Sequence, residues 1–417
     1  MSKKIPSRGL VYLATKYPLL SETFIYEEIL TLKRMGYQVC FFVLYATGKN
    51  THEFAKELEE SVYYLPANFS IKSFLGHFYF LLFSPKRYFG ILLMVLRETL
   101  REPLVMLKSI YAFGKGVSLA NILRKIPQNH IHAHWATMPT TVALVASRLT
   151  DTQYSFTSHA WDIFKEPAML DTKLENAVFH TTISQYNKNY LKSLNPEMAN
   201  KIYVNRCGVN LDQFVFRSIY PAKKKVEILF VGRLVEKKGT LKLIDACLRL
   251  RKGGYDFVCN IIGNGPQKQQ LEKIVKKYNL EGYVNLVGGL PREQLRQYWE
   301  NAGMFVLPCI IERDGNRDGI PVVLMEAMAS GIPVISTMVS GIPELIDDGV
   351  TGLLVKPDDI DALSGAMLKI IEDVTLAQQL VENARAKVVK EYNIKINTGK
   401  KAGLIEMHIK QEKKNDV

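Results

Sequence analysis

The chain has 417 residues, 47% of them hydrophobic and 23% charged, and its formal net charge is +13 at pH 7. This length exceeds what one hydrophobic core usually supports, so two domains are expected, and the composition is ordinary for a folded soluble protein. The five cysteines are scattered and lack CxxC spacing, which argues against a disulfide framework or a zinc site and favours a reducing compartment.

The positive charge is concentrated in the first half of the chain. Residues 1–210 carry a net charge of +9, and residues 72–125 alone contain nine basic side chains and two acidic ones. Nucleic acid, a membrane surface or a phosphorylated substrate each explains such a local excess of positive charge.

The first elements are predicted as strand, helix and strand. Residues 10–14 form an apolar run of strand length, residues 22–35 carry apolar side chains at helical spacing, and residues 39–44 have the pattern of a buried strand. This alternation predicts a parallel α/β sheet. The run at 10–14 is too short for the apolar region of a signal peptide, so we expect the protein to remain in the cytosol.

Residues 70–125 interrupt this alternation. Two apolar stretches, 74–83 and 88–96, are separated by Ser-Pro-Lys-Arg, and neither approaches the roughly 20 residues that span a bilayer. They predict a basic insertion formed by a pair of amphipathic helices. The pair either caps the core of its own domain or rests on an anionic membrane, and the two roles are compatible.

Strand patterns resume in two series separated by a transition at about 205–222. They lie at 131–134, 154–157 and 179–183, and then at 226–231, 257–262, 284–287, 304–307 and 334–336. We therefore predict doubly wound domains at 1–205 and 222–385, followed by a lysine-rich helical tail at 386–417.

Two glycine-bearing turns follow strands of the second domain. In open α/β sheets, ligands bind beyond the carboxyl ends of the strands. The segment GRLVEKKG at 232–239 places Arg233 and Lys238 there, where they suit a phosphate group; a solvated basic loop is the alternative. The turn GNGP at 263–266 either lets the backbone approach a ligand or merely reverses the chain.

A third segment, RDGNRDGIPVVLMEAMASG at 313–331, is a polar loop that runs into an apolar helix. Asp318 lies at the end of the loop, and Glu326 lies about one and a half turns into the helix. An inward-facing glutamate on such a helix needs hydrogen-bond partners, and the hydroxyls of a ligand would supply them. Alternatively, Asp318 caps the helix and Glu326 faces solvent.

In this order and spacing, the three segments and GIPELI at 341–346 resemble retaining glycosyltransferase family 4, and within it the bacterial exopolysaccharide branch of the colanic-acid type. The sequence SETF at 21–24 is typical of that branch. The resemblance implies a GT-B fold, in which two Rossmann-like doubly wound domains face a cleft and the second domain holds most of the nucleotide sugar.

The resemblance also implies roles for residues of the second domain. The basic pair Arg233 and Lys238 would hold the diphosphate of the leaving nucleotide, and Glu326 would accept hydrogen bonds from the ribose. Asp318 would contact the transferred sugar. Much of the family has glutamate at this position, and because aspartate is shorter, the resemblance does not determine which sugar hydroxyls it contacts. The other donor-binding residues implied are Gly232, Gly263, Leu290, Gly319, Ile320, Pro321 and Val322.

In the first domain, the resemblance implies that His159 reaches the donor sugar near the reacting carbon, although a histidine at a strand end is more often structural. It places Ser21, Glu22, Thr23 and His134 on the acceptor side. The pair His132 and His134 suggests metal binding as an alternative, but the sequence shows no third ligand, and we expect them to pack and form hydrogen bonds.

The expected activity is retaining transfer of a hexosyl group from a nucleotide diphosphate sugar, with no metal and no cofactor, and with His159, Arg233, Lys238 and Asp318 as catalytic residues. The expected acceptor is a polyisoprenyl-diphosphate-linked saccharide of exopolysaccharide, lipopolysaccharide or O-antigen biosynthesis. The basic stretch at 72–125 would attach the protein to the inner face of the plasma membrane.

Two other classes of function are open. A sugar-nucleotide epimerase or a phosphorylase shares the GT-B fold. A basic nucleic-acid-binding protein would carry the same charge, but the basic region lacks base-stacking residues on a recognised module, so we expect no nucleic-acid partner.

Overall fold

The computed structural model describes residues 5–6, 9–19, 22–47, 53–126, 128–220 and 225–415. The chain divides into two compact units. The first comprises Met1–Ile183, Asn187–Asn205 and Thr398–Val417, and the second comprises Ser184–Tyr186 and Arg206–Asn397. The segment that begins at Thr398 therefore belongs to the first unit, whereas residues 386–397 belong to the second.

The first unit contains a parallel sheet of seven strands, as far as the described residues show, in the order β3-β2-β1-β4-β5-β6-β7. Its strands are β1 (Leu10–Tyr17), β2 (Val39–Ala46), β3 (Val62–Tyr64), β4 (His130–His134), β5 (Tyr154–Ser158), β6 (Phe179–Thr182) and β7 (Ile202–Val204). The helices between them are α1 (Thr23–Arg34), α2 (Ile71–Phe83), α3 (Pro85–Thr99), α4 (Pro103–Leu123), α5 (Met138–Thr150), α6 (Trp161–Phe164), α7 (Leu170–Asn176) and α8 (Gln185–Leu194).

The second unit contains a parallel sheet with the order β10-β9-β8-β11-β12-β13 over the part of the chain that the structure describes. Its strands are β8 (Val226–Val231), β9 (Phe257–Ile262), β10 (Val284–Gly288), β11 (Met304–Leu307), β12 (Val334–Thr337) and β13 (Leu353–Val355). The later helices are α9 (Thr240–Lys252), α10 (Lys268–Lys277), α11 (Arg296–Asn301), α12 (Val322–Ser330), α13 (Ile342–Leu345), α14 (Ile360–Glu372), α15 (Val374–Glu391) and α16 (Ile394–Asn415).

Each sheet is doubly wound, which confirms the predicted fold class. The strand order reverses beside the first strand of each sheet, between β1 and β4 and between β8 and β11. Helices cover both faces, so the strands are long apolar runs such as VCFFVLYA in β2, which is buried over six consecutive residues. Ligands of such sheets bind outside the carboxyl ends of the strands at the point of reversal.

The basic insertion forms three helices, α2, α3 and α4, instead of the predicted pair. The third begins at Pro103, a residue that suits the first turn of a helix. The Oγ atoms of Ser73 and Ser118 lie 2.9 Å apart and join α2 to α4, while His77 Nδ1 and the Tyr88 hydroxyl, 2.8 Å apart, join α2 to α3.

By length and composition, none of the individual helices in the described ranges suffices to cross a membrane. The pair α2 and α3, bent by 114°, passes the same test only when the two helices are taken together.

Candidate functional site

The predicted site residues fall into two groups, one at the carboxyl edge of each sheet. In the second unit, the loops after β8, β9 and β11 approach one another backbone to backbone. Gly239 has φ +66°, and a Cβ there would lie 1.8 Å from the Pro308 carbonyl oxygen. Gly263 has φ +153°, and a Cβ there would lie 1.8 Å from the Gly232 carbonyl oxygen. These two glycines are therefore required for the loops to meet.

The centre of the second-unit group is the Asp318 carboxylate with two lysine ammonium groups. Lys238 Nζ lies 2.7 Å from Asp318 Oδ2, and Lys237 Nζ lies 3.2 Å from Asp318 Oδ1. The three side chains are 14–18% exposed. Cys309 Sγ donates to Asp318 Oδ2 over 3.7 Å. The structure thus joins Lys238 and Asp318, for which the family resemblance implies contacts to different parts of the donor.

The electrostatics of this cluster favour the charged forms of Asp318 and Lys238. Burial alone would raise the pKa of Asp318, but the ammonium groups of Lys238 and Lys237 lower it below the usual value. Burial would lower the pKa of Lys238, but the Asp318 carboxylate raises it. Two lysine ammonium groups share the one Asp318 carboxylate, so these three side chains together have a formal charge of +1.

Glu312 holds the loop that carries this cluster, and no sequence motif singled it out. Its Oε1 accepts from the Lys237 backbone N–H at 2.9 Å, and its Oε2 accepts from Asn316 Nδ2 at 2.7 Å. Lys237 Nζ also donates to Asn316 Oδ1 at 3.4 Å. Lys237 lies in the GRLVEKKG segment, next to the predicted Lys238, and this adjacency could have identified it from the sequence.

The other donor residues predicted from the sequence differ in their burial. Arg233 is exposed, and Leu290 is partly buried against the core after β10. Gly232 donates its backbone N–H to the Ile262 carbonyl at 2.9 Å. Glu326 lies in α12 and is partly buried, so it is neither a fully inward nor a fully solvent-facing glutamate.

The segment from Gly319 to Val322 leads into α12. Ile320 is buried, Pro321 is the N-cap, and Val322 is the first helical residue. The N-cap position is occupied by Pro321, and no side chain forms a capping hydrogen bond there. Asp318 is therefore not the cap of this helix, as the alternative interpretation required. The first amides of a helix lack intrahelical partners and favour an anion.

In the first unit, the predicted residues His134 and His159 belong to a buried chain of hydrogen bonds. His134 Nδ1 lies 3.3 Å from His159 Nε2, and His134 Nε2 lies 3.3 Å from Glu28 Oε1. Lys401 Nζ donates to Glu28 Oε1 at 2.8 Å and to Glu28 Oε2 at 2.6 Å. Neither Glu28 nor Lys401 is identifiable from the sequence, because they are 373 positions apart.

The ring of His159 is held between aromatic side chains. Its centroid lies 4.4 Å from that of Trp135 and 4.8 Å from that of Phe24. The Asp162 carboxylate accepts from the backbone N–H of His159 at 3.0 Å and of Ala136 at 2.7 Å. Asp162 therefore fixes the turns after β4 and β5 relative to each other.

On the predicted acceptor side, Glu22 is 9% exposed, and burial raises its pKa to about 7. The Trp135 side chain and the charge of Lys16 act in the opposite direction. Thr23 begins α1. Ser21 lies outside the described residues.

Glu28, which the sequence did not indicate as a metal ligand, lies beside the pair His132 and His134 as a potential third ligand. Atoms of Glu28, His132 and His134 lie within 4.8 Å of one another. However, the Lys401 ammonium contacts both Glu28 oxygens and supplies the positive charge there. His132 forms hydrogen bonds with Ser155 Oγ at 2.8 Å and Thr157 Oγ1 at 2.9 Å, so both of its ring nitrogens are used.

Residues 212–387 match the family described as "Glycosyl transferases group 1", which confirms the predicted resemblance. The chain is 40% identical over 195 residues to a putative colanic acid biosynthesis glycosyltransferase, WcaL, of Salmonella typhimurium, covering 46% of this chain and 48% of the relative. It is also 40% identical over 195 residues to the amylovoran biosynthesis glycosyltransferase AmsK of Erwinia amylovora, covering 47% of this chain and 48% of the relative. The chain spans about half the length of the curated relatives it matches.

A likeness in fold extends over nearly the whole chain. Sucrose-phosphate synthase of Thermosynechococcus elongatus superposes with a TM-score of 0.73 and 20% identity, over 97% of this chain and 100% of that protein. Together with the two doubly wound sheets, this likeness establishes the predicted GT-B fold class.

Proposed function

We propose, on the premise that residues 212–387 form a domain of the glycosyl transferases group 1 family, that this chain is a retaining glycosyltransferase of exopolysaccharide biosynthesis. It transfers a hexosyl group from a nucleotide diphosphate sugar to a saccharide acceptor. The observation that carries the proposal is the cluster of Lys237, Lys238 and Asp318 at the point where the strand order of the second sheet reverses. The relatives named for colanic acid and amylovoran biosynthesis support the class of product.

In this proposal the lysines stabilise the leaving group. The bond between the anomeric carbon and the diphosphate oxygen breaks, and negative charge builds on the diphosphate. Lys238, Lys237, Arg233 and the first amides of α12 provide fixed positive charge for it. The acceptor oxygen bonds to the anomeric carbon on the same face, and its proton passes to the departing phosphate, so the configuration is retained.

Asp318 and Glu326 serve binding rather than acid–base chemistry. Asp318 is ionised and paired, so it accepts hydrogen bonds from sugar hydroxyls while it holds the lysines in place. Glu326 accepts from the ribose. In the first unit, His159 contacts the donor sugar, and Glu22, Thr23 and His134 lie on the side of the acceptor.

The acceptor is a polyisoprenyl-diphosphate-linked saccharide, reached through an apolar surface on α2–α4. Fourteen of the 28 exposed large apolar side chains among the described residues lie in this surface. They are Phe69, Ile71, Phe74, Leu75, Phe78, Leu81, Leu82, Phe83, Phe89, Leu93, Leu100, Leu104, Leu107 and Ile110. A concentration of exposed apolar side chains in one segment favours an interaction site there.

Charge favours an anionic membrane as the partner of this surface. Eight of the nine basic side chains at 72–125 are exposed, beside the exposed acids Glu98 and Glu102. Lys115 is the exception, because it is buried and donates to the carbonyls of Leu65 and Pro66. Each basic residue near such a surface contributes about 1 kcal/mol, and apolar burial adds to that. The protein would therefore attach peripherally to the inner face of the plasma membrane.

The test asks whether the release of nucleotide diphosphate from the donor depends on the presence of an acceptor. Full-length protein is incubated with UDP-glucose, UDP-galactose, UDP-glucuronate or GDP-mannose, with and without bacterial lipid-linked saccharides. One donor should give transfer, with the anomeric configuration of the product, measured by NMR, equal to that of the donor. Lys238→Met should lower kcat/KM by about a hundredfold or more, whereas Lys242→Met, which removes a partly exposed lysine paired with Asp358, should not.

Other products would point to the rival classes. An epimerase converts the sugar nucleotide without any acceptor, and a phosphorylase consumes inorganic phosphate. Equal turnover with and without acceptor, or a product of inverted configuration, contradicts the proposal.

A further inference from the structure

Lys401 of the C-terminal helix α16 is a buried cation that contacts Glu28, the carboxylate beside His134. Lys401 is 1% exposed and donates three hydrogen bonds, to both oxygens of Glu28 and to Thr157 Oγ1 at 3.0 Å. All three hydrogen atoms of its ammonium group are therefore used. A lysine so fully committed inside a core fixes the carboxylate that it binds.

The bound carboxylate is ionised. Burial alone would raise the pKa of Glu28, but the Lys401 ammonium and the neighbouring His134 hold it well below the usual value. The Tyr12 hydroxyl donates a further hydrogen bond to Glu28 Oε1 at 3.1 Å. An ionised carboxylate only accepts hydrogen bonds, so the imidazole that faces it must present an N–H.

The requirement for an N–H facing Glu28 fixes the position of the proton on His134 and, through it, on His159. His134 faces Glu28 Oε1 through Nε2, so Nε2 carries the proton and His134 Nδ1 keeps its lone pair. His134 Nδ1 faces His159 Nε2, so His159 also carries its proton on Nε2. Burial lowers the pKa of His134 and of His159, which keeps both rings neutral. His159 Nδ1 is left as a hydrogen-bond acceptor.

We infer that Lys401 is a positioning residue that sets the tautomer of His159 through Glu28 and His134. The inference rests on the proposed function, in which His159 contacts the donor sugar. A His159 locked with a lone pair on Nδ1 accepts from a sugar hydroxyl at that atom and cannot donate there. The C-terminal helix thus determines a hydrogen-bonding property of a residue at the end of β5.

The test reads the ring nitrogens directly. In full-length protein labelled with ¹⁵N-histidine, nitrogen chemical shifts distinguish an N–H from a lone pair, and His134→Gln and His159→Gln assign the signals. Both rings should carry the proton on Nε2 in the wild type. In Lys401→Met the two rings should show mixed tautomers, and kcat should fall between about tenfold and a hundredfold.

Two variants serve as controls. Lys400→Met removes the adjacent lysine, which is exposed, and should leave the tautomers and kcat unchanged. Lys401→Arg keeps a cation and should restore the wild-type tautomers. If Lys401→Met does not fold, the double variant Glu28→Gln/Lys401→Met removes both buried charges together and should show the same mixed tautomers.

Wild-type tautomers in a folded Lys401→Met protein, or in the double variant, would overturn the inference. The ring signals do not depend on turnover, so the inference and the proposed function fail separately. If His159→Ala transfers sugar at the wild-type rate, the role of His159 in transfer is wrong while the effect of Lys401 on the tautomers stands.

Discussion

Ionisation of the Glu22 side chain opposes folding of the first unit. Burial raises the pKa of Glu22 from 4.5 to about 7, so the unfolded chain loses this proton at a lower pH than the native protein does. Native stability therefore falls as the pH rises from 4.5 to 7, by about 1.4 kcal/mol per pH unit. The cost is complete above pH 7 and absent below pH 4.5.

Replacing Glu22 by glutamine should remove this dependence. The unfolding free energy of Glu22→Gln relative to the wild type should rise by about 3 kcal/mol between pH 4.5 and pH 8. Urea denaturation followed by tryptophan fluorescence measures it, because Trp135 lies beside Glu22. The exposed Glu102→Gln is the control. A constant difference between Glu22→Gln and the wild type across this range would show that Glu22 ionises normally.

At the residue scale, sequence reasoning selected Lys238 and Asp318 but neither Lys237 nor the contacts among the three side chains. Lys238 and Asp318 stand in segments that follow β8 and β11, and adjacent parallel strands bring such segments together. The residue pattern assigned Lys238 to a phosphate and the family resemblance assigned Asp318 to the sugar, because spacing along the chain carries no distances. Their 2.7 Å contact depends on the close approach of the loops that Gly239 allows.

At the scale of elements, the buried strands were the easiest to predict. Strands β8, β9 and β11 have the predicted bounds, because both faces of each are covered and the apolar run ends where burial ends. The short edge strand β3 and the last strands β7 and β13 were not predicted, since runs of three residues give no periodicity. The insertion contains a third helix because Pro103 begins a new helix where the sequence showed no clear turn.

The apolar surface on α2–α4 gives an element-scale prediction. Phe74, Phe78 and Leu82 are exposed and spaced four residues apart, so they share one face of α2. The variant in which all three are serine should lose binding to vesicles that contain phosphatidylglycerol. A flotation assay measures the bound fraction.

Charge removal separates the electrostatic contribution. Replacing Lys72, Arg97 and Arg101 by glutamine should weaken binding to the same vesicles by about a hundredfold, from about 1 kcal/mol per charge, with no effect on neutral vesicles. The control replaces Lys273, Lys276 and Lys277, which are exposed on α10. If the serine variant floats normally, and the wild type forms dimers that the variant does not form, the surface binds a second copy of the chain instead.

At the scale of the whole molecule, the sequence predicted a lysine-rich helical tail but not which of its residues would be buried. In the structure, Lys401, Ala402 and Ile405 are buried. Ala402 and Ile405 belong to the core cluster that contains Tyr12 and Phe41 of the first sheet. Contacts between residues that are hundreds of positions apart leave no local periodic signal, so only the folded chain reveals them.

Truncation of this helix should destabilise one unit selectively. A chain that ends at Asn397 keeps every residue of the second unit but loses Thr398–Val417 from the first. It leaves Glu28 buried without its cation, which costs about 3–5 kcal/mol, and it exposes the apolar surface that Ala402 and Ile405 cover. Hydrogen exchange followed by mass spectrometry should show lost protection in β1, β5 and α1, with β8–β13 unchanged.

A chain that ends at Lys410 is the matched control for this truncation. It retains Lys401, the Tyr37–Glu406 hydrogen bond of 2.5 Å and the contact between the rings of His408 and Phe179. Its exchange should match that of the full chain. Equal loss of protection in both sheets after truncation at Asn397 would mean that the helix stabilises the whole molecule rather than the first unit, and unchanged protection everywhere would mean that the buried Glu28–Lys401 pair contributes no net stability.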